Sequence, residues 1–446
     1  MQIHKKSIAT IGLSIVAVAI ATAQMPRIDY TEYDLSNGLH VIMHSDKSAP
    51  SVVVSVMYHV GSKNEIPTRT GFAHFFEHLM FEGTSYIPRG EYGKIVEKAG
   101  GTLNANTSMD RTYYFELLPP NQLELGLWLE SSRMFDLKVD SIGIETQRGV
   151  VKEEKKQSYD NRPYGSFFIE ALKRAFTIHP YQWAPIGNFE HLNAAKYSEF
   201  YDFYKTYYVP NNAVLTLSGN FDPTQAKPWV EKYFGSIARG DKPMHRPTVV
   251  EPTKTAEICD TIYDNIQLPG VFLTYNTPAV GTPDYYAVDM LSTLLAGGQS
   301  SRLYKTLVDE QQKALMIQAF PFDNEQPGVT IILALANMGN SPKDIEQGID
   351  SIIGNLQTKL ISEQEFNKLQ NMFETNLVNS FASVAGKAEK LATAYTYFKN
   401  TEFANKEADN YLKVTREDIQ RVAKKYFTKN NRVVLYYLPK SEEAKN

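Results

Sequence analysis

Only one cysteine, Cys259, occurs in 446 residues, so no intramolecular disulfide forms and no cysteine-based zinc or haem motif can be assembled. A cationic excess is also missing. Lys and Arg number 46 against 50 Asp and Glu, a formal charge of −4, and no basic run is interleaved with aromatics, which argues against a nucleic-acid partner. Long apolar runs are scarce. The one at the N-terminus, from about Ile8 to Ile20, falls short of the roughly 20 residues a bilayer span requires. It follows Lys5 and Lys6 and precedes Ala21-Thr22-Ala23, the layout of a cleaved secretory signal. Residues 1–23 therefore read as a signal peptide, with a periplasmic or secreted location preferred over a membrane anchor and no stable membrane span. Export without disulfides points to a bacterial periplasm and leaves stability to the size of the core.

What remains is ordinary globular composition, 43% hydrophobic and 22% charged, in a chain long enough for two or three domains. FYKTYYVPNNAVLTL (203–217) and VAKKYFTKNNRVVLY (422–436) resemble each other at a constant offset of 219, the difference between Tyr426 and Tyr207. Each reads as a helix end, an Asn-Asn turn and a strand. One such unit repeated at that distance implies a duplicated domain. The proline-bearing stretch ARGDKPMHRPTVVEPTK (238–254) separates the copies. The expected organisation is an N-terminal domain over 27–240, a linker over 241–258 and a homologous C-terminal domain over 259–441. LHVIMHS, SVVVSVMYHV, GVFLTYN and VTIILALA read as strands, TLNANTSMDRTYYFELL as a strand or hairpin, and 343–360 and 364–398 as long amphipathic helices. Without regular strand-helix alternation, the expectation is α+β, each domain a mostly antiparallel sheet packed with helices.

The segment GFAHFFEHLMFEGT (71–84) carries the chemistry. From Gly71 to Phe81 it has no proline and reads as a buried helix, with Thr70 or Thr68 as candidate N-caps. His74 and His78 lie one turn apart on one face, close enough for both imidazoles to hold one ion. Glu77, at the edge of that face, could take a proton from a water at the ion. Composition predicts only about 0.02 chance occurrences of this pattern, and titratable groups among so many Phe and Leu are costly to bury without a partner. A third ligand is needed for a catalytic zinc site. No histidine follows His245, and His179 and His191 sit in loop-like or helix-end sequence. His59, at the end of a strand, reads as a packed residue. In the helix IETQRGVVKEEKKQ (144–157), Gln147, Val150, Val151 and Glu154 form an inward stripe and Thr146, Gly149, Glu153 and Lys156 an outward one. Glu154 is thus the ligand, and Glu153 belongs to a solvated face.

Together with NGLHVIM, HVGSKNE, GGTLNANTSMDRTYYFELLP, TQRGVVKEE, HPYQWAPIGN, YYVPNNAVL and LLAGGQSSRLY, this segment resembles the inverted-motif zinc peptidases, the pitrilysin, insulinase and mitochondrial processing peptidase family. The likeness spans nearly the whole chain after the leader. It implies Zn2+ bound by His74, His78 and Glu154, with Glu77 as general base, in a zinc metalloendopeptidase that cleaves peptides within a closed chamber. It implies further that the strand beginning Asn104-Ala105 binds an extended substrate by strand addition, and that a half-length member works as a dimer.

Two departures from the family pattern stand out. Gln147 stands where a second glutamate is frequent. Val308 and Leu315 stand where complete members carry an arginine and a tyrosine that reach the substrate carbonyl, and neither can donate a hydrogen bond to a developing oxyanion. The expectation is therefore a zinc-bearing subunit whose homologous partner supplies the Arg/Tyr pair in a heterodimer, with a homodimer as the other arrangement. A non-catalytic scaffold or peptide-binding subunit of the same fold is the competing reading.

Overall fold

The computed structural model describes residues 27–440, so the leader lies outside the described residues. Strands β1 (Thr31–Asp34), β2 (His40–Ser45) and β3 (Val52–Tyr58) come first. Helices α1 (Phe72–Leu79) and α2 (Tyr92–Lys98) precede a hairpin of β4 (Thr102–Thr107) and β5 (Thr112–Leu118). A helical run follows, α3 (Leu123–Asp136), α4 (Ser141–Lys155), α5 (Phe167–Ala175), α6 (Phe189–Ala194) and α7 (Tyr197–Tyr207), and then β6 (Ala213–Gly219) and α8 (Pro223–Phe234). No helix or strand lies between α8 and the next strand. The second half contains β7 (Ile258–Asp264), β8 (Gly270–Thr277), α9 (Pro283–Ala296), β9 (Ala314–Pro321) and β10 (Gly328–Ala336). It continues with α10 (Pro342–Thr358), α11 (Glu363–Ser380), α12 (Val384–Phe398), α13 (Phe403–Leu412), α14 (Arg416–Tyr426) and β11 (Arg432–Pro439). The helix expected over 364–398 is two helices. Ser383 accepts the Gly386 N–H at 3.0 Å and starts α12 afresh, as N-cap serines do.

The first sheet runs β1-β2-β6-β3-β5-β4 and the second β7-β11-β8-β10-β9. Setting β1 aside, the two orders match, and in both every neighbouring pair is antiparallel except one, β2 with β6 and β7 with β11. The repeat read from the sequence therefore recurs in three dimensions. Asn212 donates to the Tyr207 carbonyl at 2.7 Å and its counterpart Asn431 to the Tyr426 carbonyl at 2.7 Å. Each asparagine ties a helix end to the start of the strand that follows it.

Alternating residues of each central strand face different cores, as the two-residue period of a strand demands. Val41, Val54, Val56, Tyr114 and Leu215 join the core built with α1 and α3, whereas Ile42, Met57, Tyr113 and Val214 point the other way, against Leu391, Ala392 and Ala394 of α12. The helix on that face is contributed by the second half. The reverse also holds. Phe272, Ile331, Val433, Leu435 and Tyr437 of the second sheet pack into the first-half core beside Ala171, Leu172 and Ala175 of α5. The helices α5 and α12 occupy equivalent places in the two halves, so the duplicated units have exchanged them. A polar seam reinforces the join: Lys63 pairs with Asp110 at 2.8 Å, both buried, and also with Glu325 between β9 and β10, which accepts from His59 at 2.8 Å.

Leu391→Ala removes a fully buried side chain from the exchanged helix and should destabilise the protein by about 2–5 kcal/mol. In denaturant titration with hydrogen exchange, β3 and β6 of the first half should lose more protection than β8 and β10.

Candidate metal centre

With eight residues, α1 is too short to be stable alone, and its surroundings hold it at both ends. Its N-cap is Gly71, at φ +96, with no capping side chain, so neither Thr70 nor Thr68 caps it. The Glu65 carboxylate does so from outside, Oε2 accepting the Gly71 N–H and Oε1 the Ala73 N–H, both at 2.8 Å. Burial pushes the Glu65 carboxyl up to about 8, against the opposing effect of the N–H groups of Ala73, Gly71 and Phe72. Behind Gly71 runs the backbone of Gly187, at φ +68, where a Cβ would sit 2.3 Å from Gly71 Cα. Thr70 Oγ1 meets His191 Nδ1 at 2.9 Å and accepts the Asn188 N–H at 3.1 Å. Within the helix, Tyr208 and Tyr114 donate to the carbonyls of Ala73 and Phe76 at 3.4 and 3.2 Å.

On this helix the imidazoles of His74 and His78 stand with ring centroids 4.9 Å apart. α4 brings Glu154 to them. It begins at Asp140, which accepts the Gly143 N–H at 2.7 Å, and it packs against α1. His74 Nε2 lies 3.5 Å from Glu154 Oε1 and His78 Nε2 lies 3.2 Å from Glu154 Oε2. One ligand atom from each of the three residues falls within 4.8 Å of the others. The imidazoles facing it, His74 first and then His78, hold the Glu154 carboxyl well below the usual carboxylate range.

These residues fit a tetrahedral divalent ion. Two ligand atoms each about 2.0–2.1 Å from such an ion are about 3.3–3.4 Å apart; each imidazole lies near that separation from one oxygen of Glu154, His74 from Oε1 at 3.5 Å and His78 from Oε2 at 3.2 Å, and one donor atom from each of the three residues lies within 4.8 Å of the others. Glu154 Oε2, despite its proximity to His78, is buried and makes no hydrogen bond. A cation between the three groups would satisfy it.

Glu77 stands apart from the three donors. Its Oε2 accepts the Thr107 hydroxyl at 2.6 Å, which ties it to β4, the strand at the open edge of the first sheet. Along β4, Leu103, Ala105 and Thr107 are half-buried and Thr102, Asn104 and Asn106 exposed. Asn104 Oδ1 accepts the Ala105 N–H at 2.8 Å. Glu153 is exposed and takes a hydrogen bond from Gln157 at 3.1 Å. Val150, expected on the inward stripe, is 44% exposed, because the buried face of α4 is centred on Ile144, Arg148 and Val151 and Val150 is turned about 100° away from Val151; Arg148 on that face donates to the Ala195 carbonyl at 3.5 Å. Gln147 donates to Glu82, which also binds Arg89.

His59, His179 and His191 have structural partners, Glu325, Gln326 and Thr70 among them. His179 accepts the Tyr181 N–H at 3.1 Å and meets Gln326 at 2.6 Å. Val308 lies half-buried against the second core, and Leu315 is 54% exposed on β9, an edge strand. Two residues of the site went unassigned in the sequence reading. Thr107 shares a strand face with Ala105 by the two-residue period, which was the available signal. For Glu65 the signal was an acid shortly before a helix start.

A duplicated α+β chain with a single His-x-x-Glu-His helix is the architecture of an inverted-motif peptidase. Residues 40–182 match the family model described as insulinase, peptidase family M16, and residues 194–373 that of the peptidase M16 inactive domain. Among curated proteins, the chain is similar to the zinc protease PqqE of Helicobacter pylori, 28% identical over 96% of this chain and 98% of that protein. Among solved structures, it superposes on a protease from Helicobacter pylori with a TM-score of 0.89 at 28% identity, over 93% of this chain and 100% of that one. A peptidase M16 inactive domain from Pseudomonas fluorescens shares the fold, with a TM-score of 0.82 at 15% identity over 93% of this chain and 99% of that one. The chain belongs to the insulinase family, peptidase family M16, and is of its half-length bacterial kind. The second half lacks a twin of the metal centre: α9 holds the place of α1 there, and no histidine follows His245.

Gly187→Ala puts a Cβ into Gly71 and strains a left-handed residue. It should destabilise the protein by more than ~2 kcal/mol, read as a fall in thermal midpoint.

Proposed function

We propose that the chain is a zinc-dependent endopeptidase acting on peptides or small polypeptides, with His74, His78 and Glu154 as the zinc ligands and Glu77 as general base. The observation that carries this reading is the convergence of three donor atoms within 4.8 Å, with a fourth group, Glu77, beside them and free of the set. Zinc held there supplies Lewis acidity toward a peptide carbonyl and lowers the pKa of water. Glu77 accepts the proton of the attacking water and passes it to the leaving amine, and the Thr107 hydroxyl fixes its orientation meanwhile. An extended substrate adds to the open edge of β4 at Asn104 and Ala105, bound through its main chain, so that sequence preference is loose.

Neither Val308 nor Leu315 can donate to an oxyanion, so we assign the missing Arg/Tyr pair to a homologous partner subunit. From the leader we propose a periplasmic or secreted location. The match of the second half to an inactive-domain model favours one alternative, a non-catalytic scaffold or peptide-binding subunit. The intact donor set argues against it.

Hydrolysis of an internally quenched peptide by the zinc-loaded chain alone tests the reading. Glu77→Gln should retain zinc and lose about 10²–10⁴-fold in turnover, whereas Glu154→Gln should lower metal content. Zinc bound without turnover, uncorrected by any homologous partner, would leave the scaffold reading standing. Rescue by such a partner should be worth a factor of about 10²–10³.

A further inference from the structure

We propose that Glu65, outside the donor set, is the residue that positions the metal-binding helix. The inference rests on the zinc reading of His74, His78 and Glu154. Two of those donors come from one eight-residue helix, and His74 lies three residues after its cap, so a shift in the first turn of α1 is a shift in the metal site. The cap cannot be local. Gly71 has φ +96, and a Cβ there would meet the Ile186 carbonyl at 3.1 Å and Gly187 Cα at 3.2 Å, which rules out the Ser, Thr, Asp or Asn that ordinarily supplies a capping oxygen.

A group from outside must therefore satisfy the first N–H groups, and Glu65 satisfies two. Its oxygens divide between the Gly71 and Ala73 N–H groups, so a single rigid carboxylate fixes both the height and the rotation of the first turn. The side chain is 3% exposed, and among the described residues no Lys, Arg or His pairs with it. Burial opposes ionisation of Glu65, which is a cost, and the N–H groups of Ala73, Gly71 and Phe72 oppose that effect; with both oxygens accepting N–H groups, the geometry is that of the carboxylate, stabilised by the helix N-terminus it holds. Were the role only to fill space, an apolar side chain would serve without that cost.

The test loads the wild type, Glu65→Gln and Glu65→Asp with Zn2+ and, separately, with Co2+ as a spectroscopic reporter. Glu65→Gln keeps the shape but offers one acceptor oxygen and a clashing NH2. It should weaken zinc binding about 10–100-fold, as loss of groups that orient ligands does, and should alter the visible absorption of the cobalt form in folded protein. A role confined to stability would lower the thermal midpoint and leave the cobalt spectrum of the folded fraction unchanged. A folded Glu65→Gln with wild-type spectrum and zinc affinity overturns the inference. Should that variant not fold, Glu65→Asp decides: both oxygens remain, one methylene short, and a wild-type spectrum and affinity there overturn it equally. A wild type that binds neither metal overturns the zinc reading, and this inference with it.

Discussion

A sheet has two faces, and in each half of this chain both are apolar while the half's own helices cover only one. β3 is buried along its whole length and β6 likewise, so leaving either side to water would expose Val, Ile, Met and Tyr side chains worth roughly 1.5–3 kcal/mol each for the larger aliphatic ones. The exchange of α5 and α12 meets that demand for both sheets at once. It also fixes the second half against the first without relying on the segment that joins them. The open edge β4 and the helix α1 are thereby held in one frame.

Within that frame, two carboxylates show opposite responses to their surroundings. Glu65 sits among neutral groups and backbone dipoles, and desolvation raises its carboxyl to about 8. Glu154 faces two imidazoles, which lower its carboxyl instead. The first environment holds a helix end, and the second leaves the Glu154 oxygens facing two imidazoles. Burial alone predicts neither outcome; the charge and donors facing each oxygen do.

Much of the site was legible in the sequence. The spacing of His74 and His78 follows from helical geometry alone, and the choice of Glu154 over Glu153 from a seven-residue stripe ending on the same face. That stripe is too wide at Val150, because the buried face of α4 is centred on Ile144, Arg148 and Val151, and periodicity of apolar residues does not count a buried arginine as part of it. The duplication was legible from two asparagine pairs. The helix exchange was not, since the pattern of a helix says which of its faces is buried and nothing about which sheet lies beneath. Glu65 was harder to find: its partners are backbone groups, and an acid shortly before a helix start is a weak signal for which N–H groups it holds.

The exchange also bears on how the chain folds as it is made. The face of the first sheet that α12 covers stays open until residues near 384–398 have emerged, long after β2, β3 and β6 are complete. The first half therefore cannot mature ahead of the second, as an independent domain does during synthesis: it waits for α12, whereas α5 is already made when the strands of the second sheet emerge. Contacts so distant in sequence slow folding and leave apolar sheet surface unprotected meanwhile. The same reciprocity that packs the finished halves into shared cores makes their assembly a single late event.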